Sequence, residues 1–260
     1  MPTRFASSLL LLATVTLASC ATQPASDGGY QRFMQLAGDL QKRGDSNSAA
    51  ALYEKATQQP EAQIEAWLKL GETRLASGDA RGAERAYQQA LELKTDSADA
   101  LLGLGTAQLR QGKLERAVSA LTQAAALSGQ ADAFNRLGIA QILLGHADAA
   151  QTAFGKSLAL APNDLDTRCN LALAYALGDQ SQLALDNIRA VSESPRAHPR
   201  HQRNELLITV LAGREKDVQS MRLEDIPASE RKKLVTEARR IKAIKDPIVQ
   251  ARELGLVDTH

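Results

Sequence analysis

The chain of 260 residues is 44% apolar and 23% charged but only 3% aromatic, which supports a buried core and argues against both wholesale disorder and an aromatic-rich β-sandwich. Its 31 basic and 30 acidic residues leave a net charge of +1, without the basic excess of a general nucleic-acid binder. Two cysteines, Cys20 and Cys169, exclude a disulfide framework and a cysteine-built zinc site.

Residues 1–19 read as a secretory signal peptide. Arg4 precedes an apolar stretch through Leu17 with four consecutive leucines, Leu9 to Leu12. The run is shorter than the ~20 apolar residues a bilayer span needs. It stops at Leu17-Ala18-Ser19-Cys20, which resembles the bacterial lipobox. That resemblance implies cleavage before Cys20 and lipidation of its thiol, because the chemistry needs a thiol at the new N-terminus and small residues in the peptidase cleft. Ala21 stands where Asp would mark retention in the inner membrane of enteric-like bacteria. The expected location is therefore the periplasmic face of the outer membrane. Residues 20–29, with Pro24, Ser26, Gly28 and Gly29, predict a flexible tether.

A repeat organises the rest. Four turns are spelled Gly44-Asp45, Gly78-Asp79, Gly112-Lys113 and Gly145-His146, and an alanine follows five residues after each glycine. The glycines are spaced by 34, 34 and 33 residues, a period that signals a solenoid. Trp67, Leu70, Gly71, Ala83, Tyr87 and Ala90 resemble the signature of the tetratricopeptide repeat, with Arg74 at a position where an aromatic is usual. The resemblance implies an all-α fold: a right-handed α-solenoid of about five repeats with a C-terminal helical cap. The copies fall at about 30–63, 64–97, 98–131, 131–164 and 165–197, and in the fifth the Gly178-Asp179 turn slips by one residue. Seven of the eight aromatics beyond the signal fall on large-residue repeat positions. They are thereby committed to packing rather than to a stacking platform.

Residues 198–260 read as a degenerate helical pair followed by capping helices, broken at Asp225-Ile226-Pro227 and Asp246-Pro247. Charge divides at the same place. Residues 21–195 hold 16 basic and 20 acidic side chains, whereas 196–260 hold 14 and 10. Arg231, Lys232, Lys233, Arg239, Arg240, Lys242 and Lys245 form a dense basic cluster, which reads first as a solvated helix face and second as a patch for an acidic partner or anionic headgroups.

Catalytic signals are missing. No phosphate loop, dinucleotide fingerprint, nucleophile elbow or HExxH motif occurs, so neither an enzyme nor a cofactor is expected. His198 and His201 are spaced to share a metal, but no Cys or carboxylate in the nearby sequence completes a site, and surface histidines are expected. Cys169 lies inside a predicted helix, where a small buried residue outweighs a nucleophile. What remains is a surface. In tetratricopeptide arrays the first helix of each repeat lines a concave groove. That places Leu68, Glu72 and Leu75 there, then Leu102, Thr106 and Leu109, then Asn135, Ile139 and Ile142, and finally Cys169, Leu173 and Ala176. Such a stripe suits an extended segment or an amphipathic helix; equally, some of these side chains pack between repeats or are covered by the C-terminal helix.

The mature chain also resembles the TadD family, the tetratricopeptide lipoproteins of tight-adherence (Flp-type) pilus systems. The lipobox carries the resemblance, with Leu36-Ala37-Gly38-Asp39-Leu40, Arg43-Gly44-Asp45, Asn135-Arg136-Leu137-Gly138, Ala161 to Asp166, Asn170 to Ala174, and Asn204 through Arg214. It implies a non-catalytic outer-membrane lipoprotein that scaffolds pilus secretion machinery by binding proteins, pilotin-like towards an outer-membrane secretin. Alternatives are a pilotin of twitching-type pili, an adaptor for outer-membrane protein or cell-wall assembly, and an enzyme without a recognisable motif.

Overall fold

A computed structural model describes residues 28–221, 223 and 226–254. The signal peptide, Cys20, Ala21, Asp225 and His260 lie outside the described residues. Gly28 and Gly29, assigned above to the tether, instead form the first turn of a helix.

Ten helices form five consecutive pairs. They are α1 (Gly28–Lys42) with α2 (Ser46–Thr57), α3 (Ile64–Ala76) with α4 (Ala80–Leu93), and α5 (Ala98–Arg110) with α6 (Leu114–Ser128). Next come α7 (Ala131–Leu143) with α8 (Ala147–Leu160), and α9 (Leu165–Leu177) with α10 (Ser181–Ser192). Each even helix also packs on the next odd one, so no pair stands alone and the whole is an α-solenoid. Helix α11 (Pro199–Leu211), a 3₁₀ turn (Glu215–Ser220), α12 (Ala228–Lys242) and α13 (Pro247–Glu253) close the array. Among the described residues there is no strand, and no helix is long and apolar enough to cross a membrane.

The turns explain the repeat spelling. Gly44, Gly78, Gly112 and Gly145 all hold positive φ, between 70° and 83°, a region that an L side chain enters only at a cost. The aspartate of each Gly-Asp turn then caps the second helix. Asp45 accepts from the Ser48 amide at 3.1 Å and Asp79 from the Gly82 amide at 2.8 Å. In the fifth turn the slip is resolved: Gly178 has φ −91°, and Asp179 takes the left-handed position at φ 58°. Aspartate is among the few side chains that tolerate that region. The register therefore continues, with Ala184 again five residues on and fully buried.

Packing follows from alternating small and large residues. Ala49, Ala83, Ala117, Ala150 and Ala184 are all inaccessible to solvent. Tyr87 of α4 wedges between α3 and α5. A methyl group placed on Gly71 would sit 2.7 Å from its ring, and one on Gly103 would sit 2.2 Å away. Phe154 is likewise fully buried against Gly138. Arg74, the departure from the repeat pattern, replaces ring packing with polar ties. It donates to the Gly82 carbonyl at 3.2 Å and pairs with Glu54 of the preceding repeat at 3.1 Å.

These contacts set opposite expectations for two glycines. Gly103→Ala should overpack the Tyr87 seat and lower stability by roughly 1–3 kcal/mol. Gly155→Ala lies in the interior of α8 with nothing within 4 Å of the added carbon, and should raise stability by up to about 1 kcal/mol. Urea unfolding of the two variants beside the parent chain measures both.

Candidate protein-binding groove

Successive odd-numbered helices approach one another more closely than successive even-numbered ones. The array therefore curves with α1, α3, α5, α7 and α9 on the inside. The residues predicted to line this concave face fall into two halves of different character.

The half built by α3 and α5 is open. Leu68, Leu75 and Leu102 are half-buried, and Glu72 is exposed, accepting from Lys69 at 2.9 Å. Thr106 and Leu109 are each 5% exposed. The Thr106 hydroxyl donates back to the Leu102 carbonyl at 2.7 Å, so neither residue is offered to a partner.

The half built by α7 and α9 is occupied by the chain itself. Ile139, Ile142, Cys169, Leu173 and Ala176 are buried in one cluster with Ile208, Ile241 and Ala251 from the C-terminal segment. Helix α13 lies on α7, with Pro247 beside Ile142, Gly145, Ala147 and Leu177. Of the two readings of these five side chains, burial holds: they pack between repeats and against the C-terminal segment, which removes them from solvent.

A polar line runs through the same half. Asn170 donates to Asn135 at 3.3 Å, and Asn204 donates to the Cys169 sulfur at 3.7 Å. Asn135, Asn170 and Asn204 are half-buried and spaced by 35 and 34 residues, so their alignment was present in the repeat period although only Asn135 was predicted for the groove. Glu84 is the charged residue that sequence reasoning missed. Its carboxylate, 8% exposed, accepts from Lys113 at 2.6 Å and Gln111 at 2.9 Å and pairs with Arg116 at 3.2 Å, all from the next repeat. Nothing in its local sequence distinguishes it, because its partners come from a neighbouring helix pair.

A model of the tetratricopeptide repeat matches residues 131–164, and a model of the middle tetratricopeptide-like domain of cilia- and flagella-associated protein 70 matches residues 33–142. Together with the helix pairing, these decide the class. The chain is a tetratricopeptide-repeat protein. It is similar to the crystal structure of MamA at 26% identity, with a TM-score of 0.59 over 64% of this chain and 91% of that one. It is similar in fold to Pseudomonas aeruginosa PilF at 16% identity, with a TM-score of 0.60 over 88% of this chain and 97% of the other. A third likeness, with a TM-score of 0.55 at 20% identity over 71% and 90% of the chains, is to YrrB, described as a tetratricopeptide-repeat protein with an unusual peptide-binding site. No curated protein sequence matches it. Arrays of this kind are scaffolds for protein–protein interaction.

Several titratable groups are engaged within the fold. His201 is not the surface residue expected: it is 1% exposed, its Nδ1 accepts from the His198 amide at 3.0 Å, and its Nε2 lies 3.1 Å from an Asp166 oxygen. With both ring nitrogens engaged, it has no lone pair to share with His198 on a metal, and among the described residues no cluster of three or more His, Cys, Asp or Glu forms a metal cage. Cys169 is buried, and burial pushes its thiol up to about 11, away from thiolate chemistry. The basic cluster is not one free patch either. Arg239 pairs with Glu215, Arg240 with Glu237 and Glu253, Arg231 donates to the Ile226 carbonyl, and Lys242 donates to that of Val210. Lys232, Lys233 and Lys245 are left exposed.

Glu84 gives the array a pH dependence. Burial raises its proton affinity, but hydrogen bonds from Lys113, Gln111 and Gln108 outweigh it, and the carboxyl is held below its ordinary value of 4.5. A depressed carboxyl contributes stability above its unfolded value and loses it as pH falls through the folded one. Thermal unfolding should therefore show the parent losing stability more steeply than Glu84→Gln as pH drops below about 4.5, with the variant less stable at pH 7.

Proposed function

We propose that this protein is a non-catalytic, lipid-anchored scaffold of a tight-adherence (Flp-type) pilus secretion machine, positioned on the periplasmic face of the outer membrane. The observation that carries the reading is the half-buried apolar stretch of α3 and α5, in a chain whose Leu17-Ala18-Ser19-Cys20 resembles a lipobox. Leu68, Leu75 and Leu102 supply apolar contact there, and Glu72 a polar anchor. The lipid at Cys20 fixes the array to a membrane, and the groove grips a segment of a machine subunit. Tethering then raises the subunit's effective concentration where it must insert and oligomerise. An outer-membrane secretin is the favoured subunit, which makes the protein pilotin-like. The segments shared with the TadD family support the tight-adherence system. The likeness to PilF over 88% of the chain supports a pilus role more generally, and a pilotin of another pilus type is the second reading.

The test is crosslinking of the membrane-anchored protein in its own cell, followed by purification and mass spectrometry. The secretin and other tight-adherence components should be recovered. Glu72→Arg, at an exposed position on the same face, should reduce that recovery several-fold while leaving the melting temperature within a few degrees. Recovery of twitching-pilus components would favour the second reading. Recovery of barrel-assembly factors or cell-wall enzymes, with secretin assembly intact in a deletion strain, would overturn the pilus assignment.

A further inference from the structure

The last helix shows what the inner channel can hold. α13 turns Pro247, Ile248, Ala251 and Leu254 towards the array, an i, i+1, i+4, i+7 pattern, while Val249 is 42% exposed on its outer side. Ala251 is completely buried, and Pro247 sits over Gly145, where an added methyl group would lie 3.0 Å from the proline Cβ. The seat on α7 is apolar. The polar contacts of α13 go elsewhere: Asp246 caps the Ile248 amide at 2.9 Å, Gln250 donates to the Ile241 carbonyl of α12 at 3.2 Å, and Glu253 pairs with Arg240. Any helix presenting the same pattern would satisfy that seat equally well.

Two further features make α13 displaceable. It has seven residues, too few for a helix that is stable without tertiary packing. It is also joined to α12 through Ala243–Asp246, of which Ala243, Lys245 and Asp246 are exposed. Release therefore frees a short segment without disturbing the five repeats, and restores its conformational entropy.

We propose that α13 is a self-ligand. It fills the apolar seat on α7, beside Leu177 at the end of α9, until a partner's short amphipathic helix, with apolar side chains at i, i+1, i+4 and i+7 and a carboxylate near its C-terminal end for Arg240, takes its place. Displacement opens the seat formed by Ile142, Gly145, Ala147 and Leu177. The inference rests on the reading of the concave face as a protein-binding groove, and not on which machine supplies the partner.

The probe is a fluorescent peptide of residues 244–258, added to the full-length mature protein in detergent. Ala251→Arg should expel α13 and bind the peptide at least tenfold more tightly than the parent. The same peptide carrying Ala251→Arg should bind neither protein. Hydrogen exchange on the unmutated protein supplies a reading independent of how that variant folds. Excess peptide built from heavy isotopes, so that its fragments differ in mass from the protein's own, should raise deuterium uptake at the protein's 247–253 while α7 stays protected. Equal, weak binding to both proteins, or unchanged exchange at 247–253, would overturn the proposal. Either result would leave the scaffold assignment standing on α3 and α5, whereas loss of the cellular partners would leave the peptide result untouched.

Discussion

Everything in this molecule depends on how closely its helices approach. An alanine in each second helix and a glycine or alanine in each first helix let the paired backbones come together, and a large side chain such as Tyr87, Leu121 or Phe154 fills what lies beyond. Tyr87 performs this twice, against Gly71 of its own repeat and Gly103 of the next. The ring therefore sets both the spacing inside a repeat and the spacing between repeats. A solenoid whose members contact only their neighbours is as regular as these local seats make it.

Charge is subordinate to that packing but reinforces it at chosen places. Glu84 joins the second repeat to the third through Lys113 and Arg116. Arg74 joins the first to the second through Glu54. Asp166 meets both Arg200 and His201 across the step to α11. Each tie crosses a boundary between units, where apolar contact alone fixes register less sharply than directional hydrogen bonds do. Three of the seven basic residues in the C-terminal cluster, Arg239, Arg240 and Lys242, also reach a neighbouring element, and Arg231 is held locally, which leaves the segment less open to anionic partners than its composition implies.

The concave face is asymmetric because the chain does not end with its repeats. After α12 it folds back over α7, so one groove becomes an open stretch and an occupied one. Ile139, Ile142 and Leu173 are packed away from solvent, and α13 covers the Ile142 end of that surface. Leu68, Leu75 and Leu102 are separated by Glu72 and Lys69 and leave no comparable continuous patch.

The sequence by itself determined the repeat, the glycine turns, the small-residue rows and the aromatic wedges. These are local spellings repeated at 33 to 35 residues, and each has a meaning fixed by helix geometry and backbone sterics. The fifth turn was legible in outline only, since the period alone does not say that Asp179 rather than Gly178 takes the left-handed position. Tertiary structure decided what depends on distant segments meeting: the burial of His201, the partners of Glu84, and the cover that Pro247 gives Ile142 and Asn204 gives Cys169. A linear pattern records which face of a helix is apolar. It does not record whether a partner or the protein's own tail will cover that face, because that depends on where the chain returns in space.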